Sequence, residues 1–128
     1  MSVINQDPIT FEKSRAKAAE YVASKKKTTK LLAKVRDKAK RNYEALLGVW
    51  ESLHILLRMV RAQTMGRHSA PLATILAANA ALIYLVEPFD LIPDPLPVFG
   101  LLDDVTLIAF VARSHRSEIS KFRMWERS

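Results

Sequence analysis

Four aspartates crowd one short stretch of this chain, beside Glu87. Asp90, Asp94, Asp103 and Asp104 fall within Glu87–Asp104, EPFDLIPDPLPVFGLLDD, together with Pro88, Pro93, Pro95, Pro97 and Gly100. Oxygen-only ligands suit hard cations such as Mg²⁺ or Ca²⁺, and four carboxylates from one bend can converge on such an ion. The spacing matches no EF-hand loop, because the glycine and terminal Glu of that loop are absent. Two plainer roles compete. An Asp before a proline or at a helix start caps backbone N–H groups. The same carboxylates can instead pair with Arg58, Arg61, Arg67 or Arg113 and staple the bend to basic helices. The binding or structural motif is therefore Pro88, Asp90, Pro93, Asp94, Pro97, Gly100, Asp103 and Asp104, and its four aspartates are the metal candidates.

Other chemistry is sparse. With no cysteine, there is no disulfide, zinc-thiolate site or thiol nucleophile. His54, His68 and His115 lie in different segments without metal-ligand spacing and read as surface or packing residues. Trp50 and Trp125 read as core or interface aromatics. No serine sits in a nucleophile elbow, and no glycine-rich loop is present to cradle phosphates. We expect no enzymatic activity, and no cofactor beyond the candidate Mg²⁺ or Ca²⁺.

The elements that must position the aspartates are helices. Three glycines, abundant Ala and Leu, and almost no strand-like alternation in 128 residues predict a single all-α domain. Asp7-Pro8 reads as a cap followed by a helix to about Ser24, with Phe11, Ala18 and Val22 on one face. The run Lys25-Lys26-Lys27 then meets Thr28 and Thr29, a break and a new cap. From about Thr29 to Ala62 the spacing predicts one long amphipathic helix, bent at Gly48. Its seam is Leu32, Val35, Ala39, Asn42, Leu46, Val49, Leu53, Leu56 and Val60, widened by Leu31, Tyr43, Leu47, Trp50 and Leu57. Lys30, Lys34, Lys38 and Arg41 lie on the opposite face. Gly66 ends that helix; Ser69 caps the next, with Pro71 in its first turn.

That next helix, to about Val86, holds APLATILAANAALIYLV, without a charge. At ~1.5 Å per residue its 17 residues reach about 26 Å, short of a ~30 Å hydrocarbon core. Asn79 is its one strongly polar side chain. Pro88 stops it. Asp103 or Asp104 caps a final helix from about Val105 to Trp125, with Ile119, Phe122 and Trp125 on a docked face. The expected architecture is a small helical bundle. It is built on a hairpin with arms at about 71–86 and 105–125 and a Pro/Asp-rich elbow, preceded by a long basic amphipathic helix.

Charge is segregated. Residues 1–68 carry 15 Lys/Arg against 6 Asp/Glu, and residues 113–128 carry 5 against 2. Between them, residues 69–112 hold 5 Asp/Glu and no Lys/Arg, within a net charge of +7. Helical bundles usually scatter lysines over their exposed faces. The opening MSVINQDPITFEK has no apolar core and does not look like a secretory signal.

The run YLVEPFDLIPDPLPVFGLLDDVTLIAF resembles the YkvA-like family, a domain of unknown function. Its hallmark is a helix ending in P-x-D-L-I-P-D, then P-x-x-G and a paired Asp-Asp. The matching residues are Pro88, Asp90, Leu91, Ile92, Pro93, Asp94, Pro97, Gly100, Asp103 and Asp104. Glu87 stands where serine is more usual, and Pro95 where an apolar residue is. The resemblance divides the chain into a basic N-terminal helix or tail, residues 1–28, and a YkvA-like domain, residues 29–128, with its motif core at 84–104. It implies no activity. It implies association with membranes, as members are commonly described.

Three functions are expected. The first is a membrane-associated, non-enzymatic helical hairpin, an interaction or scaffold element on a membrane or anionic lipid surface. Its termini lie on the cytoplasmic side and its middle carries a transmembrane or re-entrant helix. Each ionised Asp near a bilayer centre costs ~2.5–3.5 kcal/mol, which favours a shallow, re-entrant or oligomeric hairpin over two simple spans. The second is a cytoplasmic all-helical module that binds a protein partner or a second copy. The third is a divalent-cation-binding domain. Nucleic acid is not an expected partner, because the basic run Lys25–Arg41 lacks interleaved aromatics and any recognised motif.

Overall fold

A computed structural model of the chain describes residues 16–86 and 104–128. Residues 16–22 are helical, and Ala18 of that turn is buried. Ser24 then opens α1, Lys25–Arg41, by accepting a hydrogen bond from the Lys27 N–H at 3.1 Å. A serine hydroxyl satisfies one of the free N–H groups of a helix start. The break expected at Thr28 and Thr29 therefore falls earlier, at Ser24. Thr28 is buried, and its hydroxyl donates to the Tyr21 carbonyl at 2.6 Å, tying the preceding turn to α1.

The long helix expected over Thr29–Ala62 is broken. α1 stops at Arg41, residues 42–46 form turns, Leu47–Val49 make one 3₁₀ turn, and α2 runs Trp50–Thr64. At the break Asn42 turns back on α1, its side-chain amide donating to the Lys38 carbonyl at 2.8 Å. Asn42 is exposed, whereas every other seam residue from Leu32 to Val60 is buried. Tyr43 and Leu47, expected to widen the stripe, are exposed as well.

α2 ends as expected at Gly66, whose φ of +70° suits a residue without Cβ. The Gly66 N–H donates to Gln63 O and the Arg67 N–H to Ala62 O, the paired bonds of a Schellman cap. α3, Leu72–Val86, begins directly after Pro71, whose carbonyl accepts from Thr74 and Ile75. Gln63, rather than Ser69, secures the connection, its side-chain oxygen accepting from the Ala70 N–H at 3.0 Å.

The last helix is also divided. α4, Asp104–Ser114, and α5, Arg116–Arg127, meet at His115. Phe122 of α5 is buried, beside His68 and Trp125 with ring centroids 5.2 and 5.5 Å away. Arg58 of α2 reaches Glu126 of α5 through Nε at 2.7 Å and Nη2 at 3.3 Å.

α3 is the centre of the bundle. It packs against α1, α2 and α4, while α4 also meets α2 and the 3₁₀ turn. Thr74, Ile75 and the unbroken run Ala77–Leu85 are buried. Ala77, Ala78, Ala80 and Ala81 let neighbouring helices approach on several sides, since side-chain size at the contact sets the distance between axes. The molecule is all helical among the described residues, as the sequence predicts.

Candidate functional site

The two arms of the expected hairpin are helices in contact. Thr74 Oγ1, at the start of α3, lies 3.0 Å from His115 Nδ1, just past the end of α4. The arms thus run in opposite directions. At the other end of α3, Lys38 of α1 donates from Nζ to the Leu85 carbonyl. Cations suit helix C-termini, where carbonyls lack intrahelical partners. Lys38, expected on the outward basic face, is therefore partly buried and fastened to the end of the apolar arm.

The motif itself gives less. Pro88, Asp90, Pro93, Asp94, Pro97, Gly100 and Asp103 lie outside the described residues. Asp104 begins α4. No cluster of three His, Asp or Glu able to hold a metal occurs among the described residues. Of the arginines considered as partners for the elbow, Arg58 meets Glu126 of α5; the elbow aspartates Asp90, Asp94 and Asp103 lie outside the described residues.

Inside the hairpin arm, Asn79 is buried to 1% exposure. Its side-chain N–H donates to the Ile75 carbonyl at 3.0 Å, one turn back. Its Oδ1 has no hydrogen-bond partner among the described residues. A buried unpaired oxygen costs about 1–3 kcal/mol.

A second constellation appears where the sequence pattern suggested only helix surface. Arg36 and Lys40 of α1 and Trp50, His54, Arg58 and Arg61 of α2 line one cleft of about 250 Å³. In a straight helix Arg36 and Arg61 would stand about 37 Å apart. The break between Arg41 and Trp50 turns α2 back alongside α1 and brings them together. Trp50 and His54 are one turn apart with ring centroids 4.4 Å apart. His54 Nδ1 lies 3.0 Å from the Trp50 carbonyl oxygen. A carbonyl only accepts, so this contact needs a proton on Nδ1. Tyr43 meets Trp50 edge-on, with centroids 4.8 Å apart. The signal was in the spacing: Arg36 and Lys40, and Trp50, His54 and Arg58, recur at four residues and mark helical stripes.

No described helix is long and apolar enough to cross a membrane. The transmembrane helix expected in the middle of the chain is α3, fifteen residues long and covered by protein. Its lack of charge follows from burial among α1, α2 and α4.

Fold and hairpin together define an all-helical bundle wrapped around an uncharged central helix. The family described as a protein of unknown function, DUF1232, matches this chain over residues 74–110. These are most of α3, the elbow and the first part of α4. An uncharacterized membrane protein, YkvA, of Bacillus subtilis (strain 168) is 33% identical over 52 residues. That alignment covers 41% of this chain and 49% of the relative, so the chain matches about half the length of the relative. No solved structure matches. The chain is thus similar to that family over residues 74–110 and to YkvA over 52 residues.

Proposed function

We propose that this protein is a non-enzymatic interaction or scaffold element that works at a membrane surface, keeping its apolar hairpin inside its own bundle. The observation that carries this reading is the burial of α3 from Ala77 to Leu85, with basic side chains on the helices around it. An apolar helix enclosed by protein has no need of lipid. Lys30, Lys34, Lys40 and Arg41 on α1 and Arg58 and Arg61 on α2 are exposed, and such cations are drawn to anionic headgroups. The similarity to a protein named as a membrane protein supports the same reading. The anionic cytoplasmic leaflet attracts such cations, so in this reading the bundle and its termini lie on the cytoplasmic face.

Such a protein attaches by charge. We expect it to sediment with anionic vesicles and to be released by about 1 M salt, where the Debye length falls to ~3 Å. Retention through salt and alkaline carbonate would show an inserted hairpin and defeat the surface reading.

The burial of α3 equally favours a second reading, a helical module that binds a protein partner away from any membrane. Full recovery in the supernatant beside anionic vesicles at low salt would select it. The divalent-cation reading rests on Asp90, Asp94, Asp103 and Asp104. It predicts that millimolar Ca²⁺ or Mg²⁺ raises the unfolding temperature, and that Asp103→Asn with Asp104→Asn abolishes the rise.

A further inference from the structure

We infer that the cleft between α1 and α2 seats the phosphate of an anionic lipid headgroup, and that this face of the bundle lies against the membrane. The inference rests on the membrane-surface reading above and gives it a site.

Four cations from two helices line the cleft: Arg36, Lys40, Arg58 and Arg61. Guanidinium forks bind phosphate oxygens in pairs, and a lysine adds a mobile point charge. Among the described residues one carboxylate is paired with the set: Glu126 accepts from Arg58 Nε and Nη2, which leaves the lining net positive and orients the Arg58 guanidinium. Holding a long side chain in place beforehand reduces the entropy lost on binding. The wall is aromatic: the Trp50 and His54 rings meet at a tilt of 43°, with centroids 4.4 Å apart. With its Nδ1 proton committed to the Trp50 carbonyl, the His54 ring is fixed in orientation.

What favours a lipid over a free phosphate is exposed surface next to Trp50, a residue of the cleft wall. Tyr43 packs edge-on against Trp50 and is 50% exposed; Leu47, in the adjoining 3₁₀ turn, is 52% exposed. A dissolved phosphate gains nothing from an exposed leucine. A bilayer does, since tyrosine and tryptophan settle at its headgroup level and an apolar side chain can enter the acyl boundary. A basic cleft, with exposed Tyr43 against its Trp50 and exposed Leu47 in the turn just before it, suits the two layers of a membrane surface.

The test uses the full chain and vesicles of phosphatidylcholine, with or without about one-third phosphatidylglycerol, at ~0.1 M salt. One variant combines Arg36→Gln, Lys40→Gln and Arg61→Gln. A second removes the same charge elsewhere, through Arg113→Gln, Arg116→Gln and Lys121→Gln. All six side chains are exposed, and circular dichroism checks that the helices persist. The cleft variant should lose about tenfold or more in binding to anionic vesicles, and the other less than about threefold. Equal losses would overturn the cleft while leaving the membrane reading intact. If the unmodified chain ignores anionic vesicles, the membrane reading itself falls, and the lipid assignment with it. A further readout locates the face directly. In a Trp125→Phe background, brominated lipid should quench Trp50; a vesicle-bound protein with unquenched Trp50 would overturn the proposal. Inorganic phosphate that shifts Trp50 emission, with no vesicle binding, would assign the cleft to a soluble phosphate compound.

Discussion

Asn79 breaks the rule that buried polar groups are paired, since its Oδ1, in the middle of the most enclosed helix, lacks a partner among the described residues. Replacing it by alanine removes that oxygen and installs the best helix former. We expect Asn79→Ala to raise stability by about 0.5–1 kcal/mol in urea unfolding, despite the small volume lost. Asn79→Asp should cost about 3 kcal/mol or more, by burying a charge without a counterion. A clear loss of stability in the alanine variant would mean that Oδ1 holds a bond it needs. Asn79 stood out in the sequence as the one strongly polar side chain of an uncharged helix. Its orphaned oxygen did not, because hydrogen-bond partners come from the packing of neighbouring helices.

Helix boundaries divide into those that a residue enforces and those that packing enforces. Gly66 belongs to the first kind, and its left-handed backbone was legible from its place after a helical stripe. An added Cβ there would meet nothing within 4 Å, so Gly66→Ala tests backbone strain alone. It should destabilise by about 1–2 kcal/mol. Gly48 also has open space around it but lacks a positive φ. Gly48→Ala should be neutral or stabilising by up to ~1 kcal/mol, measured in the same way. The break between α1 and α2 belongs to the second kind. Leu46 N–H still bonds to Asn42 O at 3.1 Å and Val49 N–H to Leu46 O at 3.0 Å, so the chain keeps a nearly helical pitch while it turns. The apolar spacing passes through undisturbed, and periodicity alone cannot see the corner. The cleft was missed for the same reason, because the corner makes it. The division of the last helix at His115 is similar, with bonds from His115 to Val111 O and from Ile119 to His115 O carrying the pattern across.

For the whole molecule, the arms, the buried seam and the helical class were all readable from spacing. The location of the uncharged helix was not. A run free of charge reads alike whether lipid or protein surrounds it, and only the length, short of a bilayer, hinted at the outcome. Protein surrounds it here. The core should therefore behave as that of a water-facing bundle: Leu82, fully buried, should cost about 2–5 kcal/mol when cut to alanine. Domains of this size hold only about 5–15 kcal/mol in all, so Leu82→Ala should lower the unfolding temperature by many degrees. An unchanged transition would mean that the centre of the bundle is elsewhere. The wrapping also makes the loss of α1 costly. A chain starting after Arg41 lacks Leu32, Val35 and Ala39, which cover one side of α3, and the Lys38 bond to its end. It should aggregate unless detergent is supplied, while the full chain does not.

The order of the segments gives that cover a role in time. Ribosomes release α1 and α2 before α3, so the greasiest segment emerges when two of its three covering helices are already made. It can be enclosed as it is synthesised, before any insertion machinery engages it. Swapping the order of the same helices by circular permutation, so that residues 72–86 come first, should send nascent chains to the membrane or into aggregates, although the finished sequence is identical in content.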